Sequence, residues 1–130
     1  MSEASRCILV VDDEDVVREV IEATLRSGGY RVECAANGVD GLRKFEAAPE
    51  AYSLAIVDRR MPGLDGAVLI EKMRALRADL PILFASGGVD PAPGLERLPG
   101  PPIQALNKPF RPAGLLMAVA EQIGKPPKLG

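Results

Sequence analysis

Five side chains suited to a divalent cation and a phosphoryl group stand at the ends of four apolar runs spread along the sequence. Asp12 and Asp13 follow Cys7–Val11, Asp58 follows Leu54–Val57, Ser86 follows Pro81–Ala85, and Lys108 follows Ile103–Asn107. If the runs are parallel strands, all four ends meet at one edge. That edge then holds three carboxylates, one hydroxyl and one ammonium. Carboxylates a few ångströms apart repel, and one of them is pushed toward its protonated form. A hard divalent cation removes the repulsion. Mg²⁺ takes oxygen ligands and commonly uses one or two carboxylates with a phosphate oxygen. An aspartate kept ionised in this way is a nucleophile toward phosphorus and yields an aspartyl phosphate. The transition state of such a transfer is loose, so the chain need mainly place positive charge and donors around the equatorial oxygens. Lys108 and Ser86 are residues of the right type. No general base is required, so the absence of histidine is compatible with this chemistry.

Taken singly, each residue has a plainer reading. Asp12 or Asp13 would cap a helix, Asp58 would form a turn, Ser86 would begin the Gly87-Gly88 loop, and Lys108 would be a solvated strand end. Their joint placement at the carboxyl ends of successive strands favours a shared site over four coincidences.

The bulk properties narrow the classes. A chain of 130 residues is one domain by length. Its 47% hydrophobic and 26% charged residues are those of an ordinary globule. A net charge of −2 and 4% aromatics argue against a nucleic-acid or anionic-membrane surface. No apolar run approaches the roughly 20 residues needed to span a bilayer. Met1–Arg6 carries no apolar leader, and a cytoplasmic location is expected. Cys7 and Cys34 read as small hydrophobes in strands. Without histidine, a zinc site and histidine-based acid–base or nucleophilic catalysis are disfavoured.

The elements that must position the strand ends alternate. Strands are predicted at Cys7–Val11, Tyr30–Cys34, Leu54–Val57, Pro81–Ser86 and Ile103–Asn107. Helical spacing runs over Asp15–Ser27, from Asn37 to Glu46, over Ala67–Arg77 and over Arg111–Ile123. Val16, Val17, Val20, Ile21 and Leu25 give the first helix its apolar spacing. Val39, Leu42 and Phe45 share one face of the second, and Leu69, Ile70, Met73 and Leu76 are expected to point inward from the third. Alternation of this kind signals an α/β fold: a five-stranded parallel sheet in flavodoxin-like order 2-1-3-4-5, with helices on both faces. In that order the first and third strands are neighbours, so Asp12, Asp13 and Asp58 lie side by side. Gly87–Pro102 carries Pro91, Pro93, Pro99, Pro101 and Pro102. A helix capped by Asp90 ends by Pro99, so the fourth of five helices is expected to be short or irregular. A domain over residues 1–124 is expected, with 125–130 a flexible tail or the start of a linker.

These segments resemble the receiver domains of bacterial two-component systems. The resemblance rests on Ile8–Glu14 (Ile-Leu-Val-Val-Asp-Asp-Glu), Ala36–Leu42, Val57–Gly66 with its Met61-Pro62-Gly63, Ile82–Ser86 and Lys108-Pro109-Phe110, and it covers Arg6 to about Gly124. It implies that Asp58 is the phosphoacceptor. It implies that Asp12 and Asp13 form an acidic pair, and that Asp13, Asp58 and the backbone carbonyl of Arg60 coordinate Mg²⁺ (or Mn²⁺), with Asp12 acting mainly through water. Ser86 is then the hydroxyl that moves onto the phosphoryl group and Lys108 the lysine that pairs with it. A cis bond is implied before Pro109, and Gly66 is implied to open the third helix. The implied partner is a histidine kinase or histidine phosphotransfer protein, and the chain is not an enzyme beyond its own phosphorylation and dephosphorylation.

Two departures bear on this reading. Ala105 stands where the family carries its switch aromatic, three residues before the lysine. Arg60 is bulky and cationic two residues past the acceptor; it either contacts the phosphoryl group or a neighbouring acid, or points outward to solvent. The rival from another class is a pseudo-receiver that binds a partner constitutively, without phosphate. A phosphatase on this fold is weaker, because Arg60 stands where a second acid would protonate the leaving group. A nucleotide-binding role is weaker still, since no glycine-rich loop follows the first strand. Met1–Arg6 reads as a natural N-terminus, which favours a stand-alone regulator or an N-terminal receiver.

Overall fold

A computed structural model describes residues 7–87 and 94–124. Five strands form one parallel sheet: β1 (Cys7–Val11), β2 (Arg31–Ala35), β3 (Tyr52–Asp58), β4 (Ile82–Ser86) and β5 (Gln104–Asn107). Their order is β2-β1-β3-β4-β5, as the alternating pattern predicts. The helices are α1 (Asp15–Ser27), α2 (Gly38–Ala47), α3 (Gly66–Leu76) and α4 (Pro112–Ile123), with a short 3₁₀ turn at Pro49–Ala51. Asn37 caps α2 by accepting from the Asp40 N–H at 2.8 Å. Pro112 lies in the first turn of α4, where its missing N–H leaves no bond unmade.

The continuous apolar runs of β1 and β3 are buried on both faces. Alternate residues feed two cores. Leu9, Val11, Ala55 and Val57 pack with Phe45 of α2 and Leu69, Ile70 and Met73 of α3. Ile8, Val10, Leu54 and Ile56 pack with Ile21 and Leu25 of α1 and Leu115 and Val119 of α4. Cys7 and Cys34 are free thiols that belong to opposite faces. No helix among the described residues is long and apolar enough to cross a membrane.

Four apolar residues depart from their predicted faces. Leu76 is exposed, because Arg74 takes the last inward position of α3. Val16 and Val20 are exposed, because the buried line of α1 runs through Ile21, Thr24 and Leu25. Val39 is also exposed, and α2 turns Gly38, Gly41 and Phe45 inward instead. Between β4 and β5 the described residues hold a 3₁₀ turn at Leu95–Arg97 and no α-helix. The predicted cap at Asp90, with Pro91 after it, lies outside the described residues.

Candidate functional site

Strand register assembles the site. Pairing of Val11 with Val57 sets Asp12 beside Asp58 at the carboxyl end of the two central strands. The Arg59 N–H donates to Ala85 O at 2.9 Å, and the Lys108 N–H to Ser86 O at 2.9 Å, so the next two strand ends follow in line. Asp12 is held locally as well. Its N–H donates to Ala35 O, and its Oδ1 accepts from the Glu14 N–H at 2.9 Å. Asp12 therefore shapes the turn into α1, while Glu14 occupies the cap position of that helix.

Asp12 and Asp58 are 1% and 6% exposed, and Asp13 is half-buried. One oxygen from each of the three carboxylates lies within 4.8 Å of the others. The Lys108 ammonium donates to Asp58 Oδ1 at 2.9 Å and to Asp12 Oδ2 at 3.1 Å. Glu14 Oε1 is farther off, at 3.8 Å from the same nitrogen. Burial pushes the Asp58 carboxyl above its usual range; the hydrogen bond from Lys108 opposes this, and the neighbouring Asp12 adds to it. Burial pulls the Lys108 ammonium down, but its bonds to Asp58 and Asp12 outweigh that and leave it raised. One lysine cannot neutralise three clustered carboxylates. The cluster is made of hard oxygen donors only, which suits Mg²⁺ or Mn²⁺ and not a thiolate- or imidazole-seeking metal.

Ser86 and Gly87 line the same cleft of about 410 Å³, with Asp58, Lys108 and Glu14. Arg60 stands exposed at its mouth, and Arg59 lies half-buried beside it. The Lys108–Pro109 peptide bond is cis, in accord with the resemblance. Ala105 pairs with Phe84 across the sheet and is exposed, so no ring stands behind Ser86 at that position.

The structural roles of Arg18 and Arg74 were not legible in the sequence. Arg18 reaches back one turn and a half, its Nη1 donating to Asp12 O at 2.8 Å while its other terminal nitrogen pairs with Asp15. A cation one turn into a helix whose start carries a run of acids was the available signal. Arg74 is buried and bonds three carbonyls around the proline-rich segment. Its signal was a charge four residues after Ile70, within the apolar stripe.

The family profile described as the response regulator receiver domain matches residues 8–120. The chain belongs to that family. It is 32% identical over 121 residues to the sensor kinase CckA of Brucella abortus, covering 93% of this chain and 13% of that protein. It is 31% identical over 119 residues to the response regulator protein TmoT of Ectopseudomonas mendocina, covering 92% of this chain and 53% of the relative. Among solved structures, the chemotaxis protein CheY4 of Vibrio cholerae superimposes with a TM-score of 0.79 at 28% identity, covering 92% of this chain and 99% of that one. The receiver domain of the hybrid histidine kinase CckA superimposes with a TM-score of 0.77 at 34% identity, covering 90% and 98% of the two chains. The protein is thus a receiver domain of the two-component class, with a cluster of aspartates able to hold a metal ion.

Proposed function

We propose that Asp58 accepts a phosphoryl group from a phosphohistidine on a partner kinase or phosphotransfer protein. The observation that carries this reading is the buried Asp58 carboxylate set against Lys108, with Asp12 and Asp13 within reach of a shared cation. A carboxylate oxygen of Asp58 forms the new bond to phosphorus, and the P–N bond to the imidazole breaks with its electron pair passing to nitrogen. Asp12, Asp13, Asp58 and the carbonyl of Arg60 would hold Mg²⁺ or Mn²⁺. When bound, the ion offsets the carboxylate charge and draws electron density from the phosphoryl oxygens. Lys108 is released from Asp58 to pair with the phosphoryl group, and the Ser86 hydroxyl donates to a second oxygen. Arg60, exposed at the mouth, closes over the product and slows the entry of water.

Delivery by a protein partner is supported by an apolar groove next to the acceptor. Val16, Val17 and Val20 of α1 line it with Pro109 and Phe110, and Lys108 belongs to both this groove and the acceptor cleft. A partner presenting a phosphohistidine to Asp58 would cover the groove with an apolar helix face. The domain is taken to span residues 1–124, with 125–130 as a tail or the start of a linker.

Exposed Ala105 favours one rival, a module that binds a partner without phosphate. Incubation with Mg²⁺ and a small acyl phosphate, read by intact mass, separates the two. Gain of one phosphoryl group by the wild type and none by Asp58→Asn supports the acceptor reading. No gain by either chain rejects it.

A further inference from the structure

The Arg74 guanidinium takes no part in the phosphoryl chemistry, yet it is 3% exposed. Its Nε donates to Leu80 O at 2.8 Å, and its terminal nitrogens donate to Pro99 O at 2.9 Å and to Pro101 O at 2.8 Å. A buried cation is costly unless its donors are met, and three backbone carbonyls meet them here. Burial still lowers the guanidinium from its ordinary value. Gly100 lies between the two proline carbonyls with φ of +104°. A Cβ at that position would fall 1.9 Å from Ala78 O and 2.9 Å from Arg74 Nη1. Leu95 is buried in the α2–α3 core, with Leu98 and Ile103 packed against that core. Residues 95–103 are thus seated on the C-terminal end of α3 without forming an α-helix.

The other end of α3 is built on the acceptor. The Gly66 N–H donates to Arg59 O at 3.1 Å. A Cβ on Gly66 would fall 2.2 Å from Asp58 O, so the helix start rests directly on the acceptor's backbone. The 11 residues of α3 span about 16 Å. One end touches Asp58 and the other grips the β4–β5 segment. The contact at Gly66 leaves no slack, so a displacement of residues 59–65 passes to the helix as a whole. Exposed Ala105 supplies no ring that could carry a change from Ser86 instead.

On the reading of Asp58 as acceptor, we propose that α3 and Arg74 carry the acceptor's state to residues 95–103. Arg74 is a positioning residue for a surface remote from the chemistry. The two arrangements it selects between are the clamp described above and one in which α3 has shifted and the Pro99 and Pro101 carbonyls are released. Such one-or-the-other contacts are what lets a small local shift reach a distant surface.

The test compares backbone amide shifts of the full chain with Mg²⁺ alone and with Mg²⁺ plus beryllofluoride as the phosphoryl mimic. In the wild type, Gly87 and Lys108 shift, and so do the non-proline residues of 95–103. In Arg74→Lys, which keeps the charge but cannot span three carbonyls, Gly87 and Lys108 still shift while the changes at 95–103 fall about threefold or more. Gly100→Ala, which unseats the segment with Arg74 intact, gives the same split and decides the matter if Arg74→Lys does not fold. A wild type that responds at Gly87 and Lys108 but not at 95–103 overturns the relay, as do undiminished shifts at 95–103 in the variants. A wild type silent everywhere rejects the acceptor reading itself, and the relay with it.

Discussion

The Lys108 ammonium and the Asp58 carboxylate meet at 2.9 Å, at the carboxyl ends of β5 and β3, fifty residues apart in the chain. The same nitrogen holds Asp12, so on the proposed reading the lysine occupies the nucleophile until a phosphoryl group arrives. Lys108→Met leaves two buried carboxylates facing each other, a loss of about 3 kcal/mol in the metal-free protein by analogy with other broken buried pairs. Denaturant unfolding with and without Mg²⁺ measures this, and Mg²⁺ is expected to recover part of the loss. Phosphorylation of Asp58 by an acyl phosphate is expected to slow about 100-fold, as when other preorganised charge-stabilising donors are removed.

Asp58 makes the metal-free protein less stable as it ionises. Burial raises its carboxyl, so the native state holds that proton more tightly than the unfolded chain does. The contribution to stability is greatest in acid and falls as pH rises from about the unfolded value of 3.8 through the raised native one. Asp58→Asn removes this fall, and its Tm at neutral pH without metal is expected to exceed the wild type's by about 3 °C. Mg²⁺ should raise the wild-type Tm more than that of the variant. Thermal scans between pH 4 and pH 8 check both statements.

Val20, exposed on the groove beside the acceptor, separates partner recognition from chemistry. Val20→Glu places a charge where an apolar helix face would dock. Phosphotransfer from a histidine-containing protein is expected to weaken about tenfold or more, with labelling by acyl phosphate unchanged. Equal loss with both donors would show that the substitution damages the site and not the docking surface.

Arg60 is expected to govern how long the phosphoryl group persists. Phosphorylation adds negative charge to a cleft that already holds Asp12, Asp13 and Glu14, and Arg60 stands at its mouth. Arg60→Ala should shorten the lifetime about threefold, a change of under 1 kcal/mol as befits a solvent-screened pair. Decay followed by intact mass after removal of the donor reads this directly, and a lifetime equal to the wild type's assigns the side chain to solvent.

Strand order and the meeting of Asp12, Asp13, Asp58 and Lys108 were legible because both depend on patterns within short windows. Continuous β-branched runs mark two-faced strands, and polar residues at their ends are collected by any parallel sheet. Helix boundaries also followed local chemistry, as at Asn37 and Pro112. Legibility failed where a side chain acts across the fold. The exposure of Val16 and Leu76 depends on which flank of a helix meets the sheet, and apolar spacing leaves that open by a residue or two. Arg74 finds two of its acceptors on backbone far from its own helix, at Pro99 and Pro101, which no spacing rule encodes. The segment after β4 could be read as irregular from its prolines. Its seat on α3 could not, because a three-carbonyl clamp needs geometry that exists only once the chain is folded.

Because the cluster draws its members from Asp12 near one end of the domain to Lys108 near the other, a fragment that lacks either end carries no complete copy of it. If Asp58 is the acceptor, as proposed, a nascent or half-unfolded molecule could not take up the phosphoryl group. Labelling of position 58 would therefore double as an assay of completed folding, and the signalling circuit would count only finished molecules.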